Sequence, residues 1–165
     1  MGCTVEEAKA IVAIKFANAD SLFGLKARGF VMPFVVWRPM GLRRAGLCNL
    51  ASNIIELNTN YLTSKDWREF LDDTPLHELG HAICWQFYHN NGHNEQWKRI
   101  TMQMGLKGNR CHNFAKPEVV ANTRTRKKYT VYCDCGSHTI TSVRYNRMVR
   151  GATYYCRNCK CEVHL

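Results

Sequence analysis

Apolar side chains recur at helical spacing over residues 5–23. Val5, Ala8, Ile11, Val12, Phe16, Ala19, Leu22 and Phe23 form one stripe, with Lys15 turned outward and Ile14 off the stripe. Gly24 supplies a stop. Residues 30–37, Phe-Val-Met-Pro-Phe-Val-Val-Trp, read as a strand that Pro33 confines to an edge or a bulge. Residues 45–50 and 54–57 read as two short strands joined by the turn Ala51-Ser52-Asn53. A helix is predicted from Ser64 to Leu71, with Ser64 or Thr63 as its cap. Another opens at Pro75 behind Thr74 as N-cap, with Leu76, Leu79, Ala82, Ile83 and Phe87 as its apolar contacts. Asn90-Asn91-Gly92 is a turn signal, and a further helical pattern then runs through Trp97, Ile100 and Met104. Helix, antiparallel strands, then helices is an α+β layout.

The periodicity dissolves between Ala115 and Lys128, where Pro117, Asn122 and the basic run Arg124 to Lys128 read as a linker. The tail is strand-like again over Tyr129–Cys133, His138–Tyr145 and Gly151–Cys156. The expected domains are residues 1–116, a linker over 117–128, and a β-rich module over 129–165.

Within the Pro75 helix, residues 77–81 read His-Glu-Leu-Gly-His. Histidines four apart on a helix lie about 40° apart around the axis and about 6 Å apart along it. Both imidazoles can therefore hold one zinc ion, and Glu78, beside the first ligand, is placed as a general base toward water. His93, just past the turn, is the expected third ligand. Glu95 is the competing donor, and His89 lies on the same helix two turns beyond His81.

Length, charge and cysteine content extend this picture. The chain has 165 residues, enough for one moderate domain and a small appendage. No apolar run approaches transmembrane length. Glu6 and Glu7 are out of place in a secretory leader, and Met1-Gly2 is followed by Glu6 where a myristoylation signal needs Ser or Thr, so neither a leader nor a lipid anchor is expected. Nine cysteines, clustered toward the C-terminus, favour metal binding in a reducing compartment over disulfides. Cys3 and Cys48 stand alone. Cys84 reads as a packed thiol, although it follows His81 on the ligand-bearing face.

The formal charge is +10, unevenly spread. Residues 116–165 hold ten Lys/Arg against three Asp/Glu, so the tail is the expected polyanion contact. Within it, Cys133 and Cys135 form one ligand cluster and Cys156, Cys159 and Cys161 the other. Two knuckles joined by a hairpin are the arrangement of a zinc ribbon. The expected structural ligands are Cys133, Cys135, Cys156 and Cys159, with His138 as a substitute and Cys161 as a spare. Two zinc ions per chain follow, one catalytic and one structural. Arg124, Arg126, Lys127, Lys128, Arg144, Arg147, Arg150 and Arg157, interleaved with Tyr132, Tyr145, Tyr154 and Tyr155, suit phosphate contact and base stacking on single-stranded DNA.

Together these residues resemble the SprT-like zinc metalloprotease family, which includes Spartan. Arg44-Ala45-Gly46 and Leu57-Asn58 look like its elements ahead of the zinc helix. His77-Glu78-Leu79-Gly80-His81 with Trp85, His93 with Trp97, and His112-Asn113-Phe114 look like the helix, the third-ligand segment and the element after it. Tyr132-Cys133 with Cys135, Tyr145-Asn146-Arg147, Arg150-Gly151 and Tyr155-Cys156 with Cys159 resemble the ribbon of the compact bacterial and phage members. Asn94 and Lys160 depart from the pattern by standing where the family usually has Gly. The resemblance implies a minimal zincin core, a DNA partner, and DNA-bound protein substrates, DNA–protein crosslinks among them. It also implies a cytoplasmic setting, at the nucleoid or in a phage-infected cell. A second oxyanion donor stays unassigned, with His112 a candidate only through its place in the family element. The rival expectation is a nucleic-acid-binding regulator whose SprT-like core is not proteolytic.

Overall fold

The computed structural model describes residues 2–41, 43–114 and 127–165. The chain forms two compact units, Met1–Val119 and Val120–Leu165. The boundary and most of the expected linker, Arg124 and Arg126 included, lie outside the described residues.

The first unit opens with α1, Val5–Phe23, which the apolar stripe anticipates. Its start is fixed by a capping box. The Glu7 N–H donates to Thr4 Oγ1 at 3.2 Å, and the Thr4 N–H donates back to the Glu7 carboxylate at 2.8 Å. Gly24 closes it in the left-handed region at φ 59°. Ala8, Val12, Phe16 and Ala19 are buried, whereas Leu22, expected inside, is exposed.

Three strands follow: β1, Phe34–Arg38; β2, Gly46–Asn49; and β3, Ile54–Asn58. β1 begins just after Pro33, which has no N–H to give a ladder. The sheet order is β1-β3-β2, so β3 lies between two strands that precede it in sequence. β2 pairs with β3 antiparallel, as expected, but β1 pairs with β3 in parallel. Ile55 and Leu57, fully buried on β3, explain its central place. The return from β1 to β2 is held by Asn58, itself fully buried. Its Oδ1 accepts from the N–H groups of Met40 (3.0 Å) and Asn60 (3.1 Å), and its Nδ2 donates to the carbonyl of Arg44 (2.7 Å).

A 3-10 turn, Thr59–Thr63, leads to α2, Trp67–Tyr88. The two helices expected here are one. Pro75 sits inside α2, and Thr74 is a buried mid-helix residue and not a cap. An internal proline costs about 3 kcal/mol. Burial of Phe70 and Leu71 before it, and of Leu76, Leu79 and Ile83 after it, in one core offsets that cost. Ser64 instead closes the 3-10 turn, its hydroxyl donating to the Tyr61 carbonyl at 2.7 Å. His89 ends α2 with φ 52°. Asn94 then caps α3, Glu95–Gln103, by accepting from the Trp97 N–H at 3.0 Å. The side chain that replaces the family's usual Gly thus has work as a cap.

In the second unit, β4, Lys128–Cys133, and β5, Gly136–Thr141, form an antiparallel hairpin. The strand expected over His138–Tyr145 ends at Thr141, and α4, Ser142–Val149, takes over. Ser142, Tyr145 and Met148 are its half-buried residues, a helical spacing, and Tyr145 stacks on Tyr129 at 3.9 Å. The segment expected as a strand over Gly151–Cys156 makes only the single bridge Tyr155↔Glu162. Lys160 adopts φ 62°, which accounts for the Gly commonly found at this place in the resembling sequences.

Candidate metal centres and catalytic cleft

α2 presents His77 and His81 one turn apart, and the α2–α3 turn brings His93 over them. His93 Nε2 lies 3.1 Å from His77 Nε2 and 3.2 Å from His81 Nε2. One ring nitrogen offers either a single N–H or a single in-plane lone pair, so these contacts cannot both be well-aligned hydrogen bonds. Three nitrogens bound to zinc at about 2.0–2.1 Å in a tetrahedron would lie roughly 3.3 Å apart. The donor set therefore fits a cation of that kind. Glu95 and His89 are not among the converging donors.

Trp97, fully buried, supports all three rings, with centroid distances of 4.7 Å to His77, 5.4 Å to His81 and 4.5 Å to His93. Its Nε1 donates to the His77 carbonyl at 3.4 Å. Gly80 permits this contact, because a Cβ there would stand 3.1 Å from Trp97 Nε1 and 2.7 Å from Thr101 Cγ2. Burial pushes His77 down to about 3 and His81 to about 4, helped by the neighbouring imidazoles. Both rings are then neutral at physiological pH, the form that ligates metal.

Glu78, only 8% exposed, faces β2. A Cβ at Gly46 would lie 3.0 Å from Glu78 Cγ and 2.7 Å from Thr74 Cγ2, so this strand position admits the carboxylate only as glycine. Burial pushes Glu78 up to about 7, against the downward pull of the Cys48 backbone N–H and the Arg44 charge. A carboxyl in that range suits a general base near neutral pH. Activity that needs the carboxylate is lost as pH falls through its folded pKa. A cation on the imidazoles pulls that value down further, so the acid limb of kcat/KM against pH should lie at or below about pH 7. An acid limb centred above pH 7.5 would contradict this assignment. Glu78 and His77 line a cleft of about 270 Å³ with Arg44, Gly46, Thr74 and His112.

In the second unit, Cys133, Cys135, His138 and Cys156 place their ligand atoms within 4.8 Å of one another. His138 Nε2 is 3.1 Å from Cys133 Sγ and 3.6 Å from Cys156 Sγ. Cys159 Sγ lies 3.6 Å from Cys133 Sγ. The four expected cysteines and their substitute thus share one locus, and His138 is as close to it as any thiol. Cys161 turns aside, its thiol directed at the Cys159 carbonyl at 3.5 Å. The Cys161 backbone N–H holds the Cys159 thiol down to about 6, which favours the ligating thiolate.

A family model described as the SprT-like family matches residues 21–131. The chain belongs to the SprT-like family. It is 31% identical over 161 residues to Protein SprT of Pseudomonas paraeruginosa, covering 94% of this chain and 92% of that one. It is 35% identical over 135 residues to Protein SprT of Klebsiella pneumoniae, covering 80% and 77%. No solved structure matches.

Of the basic residues expected to meet DNA on this SprT-like chain, Lys127, Lys128, Arg144, Arg147, Arg150 and Arg157 are exposed. The ion pairs among the described residues all lie in the first unit and use none of them. Arg144 and Arg157 line a cleft of about 460 Å³ together with Tyr154, Tyr155 and Met148. No described helix is long and apolar enough to cross a membrane.

Sequence reasoning did not find the role of Gly46, nor the packing of Thr74 beside Glu78. A glycine inside a strand pattern was the available signal, because it marks close approach by another group.

Proposed function

We propose that this chain is a zinc endopeptidase that cleaves DNA-associated proteins, DNA–protein crosslinks among them, and that its basic ribbon docks it on DNA with single-stranded character. The observation that carries the reading is the convergence of His77, His81 and His93 beside the buried Glu78. Zinc bound there would act as a Lewis acid and lower the pKa of a water molecule. Glu78 takes the proton from the attacking water and passes it to the leaving amine. Within its sheet β2 is an edge strand, and its Gly46 lines the cleft, so an extended substrate segment can lie along that edge. Zinc in the ribbon cluster would be structural, since any four of Cys133, Cys135, His138, Cys156 and Cys159 suffice to close a four-coordinate shell.

The reading is tested by incubating the purified protein with a DNA-bound protein, with and without single-stranded DNA. Cleavage stimulated by the DNA is expected. Deleting residues 123–165 should weaken DNA binding and flatten the dependence of log affinity on log salt, by roughly 0.7 per lost phosphate contact on single strands. An unchanged slope in fluorescence anisotropy would remove the ribbon from the docking role.

A further inference from the structure

The cleft beside Glu78 holds a fourth imidazole that the ligand set leaves unused. His112, beyond α3, lines this cleft together with His77 and Glu78. Its ring is fixed by packing. It stacks on Phe114 at 4.5 Å and 11°, and it meets the edge of the fully buried Tyr61 at 5.7 Å. The arginines that share the cleft, Arg43, Arg44 and Arg110, are exposed side chains without such a seat. Asp73 on α2 lines the same cleft.

Two buried side-chain polar atoms among the described residues have no hydrogen-bond partner, His112 Nδ1 and Thr74 Oγ1. Thr74 is 4% exposed, and both residues line this one cleft. An unsatisfied buried polar group costs about 1–3 kcal/mol, so two on one cleft ask for a functional reason. Neither the other cleft side chains nor the backbone uses this polar capacity.

We propose that His112 is the second hydrogen-bond donor to the carbonyl oxygen of the scissile peptide; this rests on the proteolytic reading above. The ring N–H donates and keeps its proton. Its bond strengthens as water adds to the carbonyl carbon and the oxygen gains charge, so the contribution falls on kcat more than on KM.

The test uses full-length, zinc-loaded protein, fluorescein-labelled casein and oligo(dT). His112→Phe keeps a ring against Phe114 and removes the N–H, whereas His112→Gln keeps an N–H donor. For His112→Phe, kcat should fall about 100- to 1,000-fold, with KM within about threefold and with zinc content and Tm near wild type. His112→Gln should recover at least about a tenfold part of the loss. Binding of a peptidyl phosphonamidate, a tetrahedral mimic, should weaken by about 30-fold or more in His112→Phe by calorimetry. A His112→Phe enzyme with kcat within about threefold of an active wild type overturns the proposal, as does a fall carried by KM alone. Should wild type leave both casein and a DNA-bound protein intact, the proteolytic reading fails and the donor role with it.

Discussion

Glu78→Gln is expected to abolish the proposed proteolysis while zinc content, DNA binding and fold stay close to those of the native protein. The substitution is nearly isosteric, so the packing of the side chain against Gly46 is kept. What is lost is the ability to take and return a proton, a function that contributes about 10²- to 10⁴-fold in rate. The stability consequence has the opposite sign. Burial raises the folded pKa of Glu78 above its ordinary value, so the ionised form penalises folding once pH exceeds the unfolded value. In metal-free protein at pH 8 the glutamine variant should therefore melt no lower than wild type. Retention of more than about a tenth of wild-type cleavage would remove Glu78 from the general-base role.

The second large effect is expected from a chelator. Stripping metal should unfold the second unit and leave the first folded. The first unit has an extensive buried cluster that includes Phe70, Leu79 and Trp97. Among the described residues of the second unit, Val131 and Cys156 are the buried hydrophobics. So small a core cannot offset chain entropy, and metal binding, with apparent values of about 10–16 kcal/mol in zinc-finger peptides, becomes the folding energy. The chain separates the two signals by itself. Its four tryptophans, Trp37, Trp67, Trp85 and Trp97, all lie in the first unit, while the Tyr129–Tyr145 stack belongs to the second. Chelation should abolish the near-UV dichroism of the tyrosine stack and speed tryptic cutting after Arg144, Arg147 and Arg150 by more than about tenfold. Tryptophan emission should keep the maximum of the metal-loaded protein. A ribbon that resists trypsin without metal would contradict this account.

Much of this was legible because it is local. The α1 stripe, the stop at Gly24, the His77–His81 spacing and the two cysteine knuckles are set by residues a few positions apart, where helical period and ligand spacing act directly. What escaped depends on packing between distant segments. Pro75 is a strong helix-opening signal, overridden by apolar residues on both sides of it that share one core. The parallel pairing of β1 with β3 follows from the burial of Ile55 and Leu57 and from the Asn58 bonds across the connecting loop, neither of which a strand pattern encodes. The segment from Ser142 to Val149 has too few buried positions to announce a helix, and its half-buried Tyr145 takes its place from Tyr129 on another element. Gly46 was legible as a residue but not as a contact.

The strand order sets a timetable for synthesis on the ribosome. The first two strands cannot complete a sheet when they emerge, because the one that joins them is made last. Until residue 58 clears the exit tunnel, Phe34–Arg38 and Gly46–Asn49 wait without a ladder partner. The imidazoles of positions 77, 81 and 93 come later still, so a nascent chain can gather its histidine cluster only after all three strands have been made.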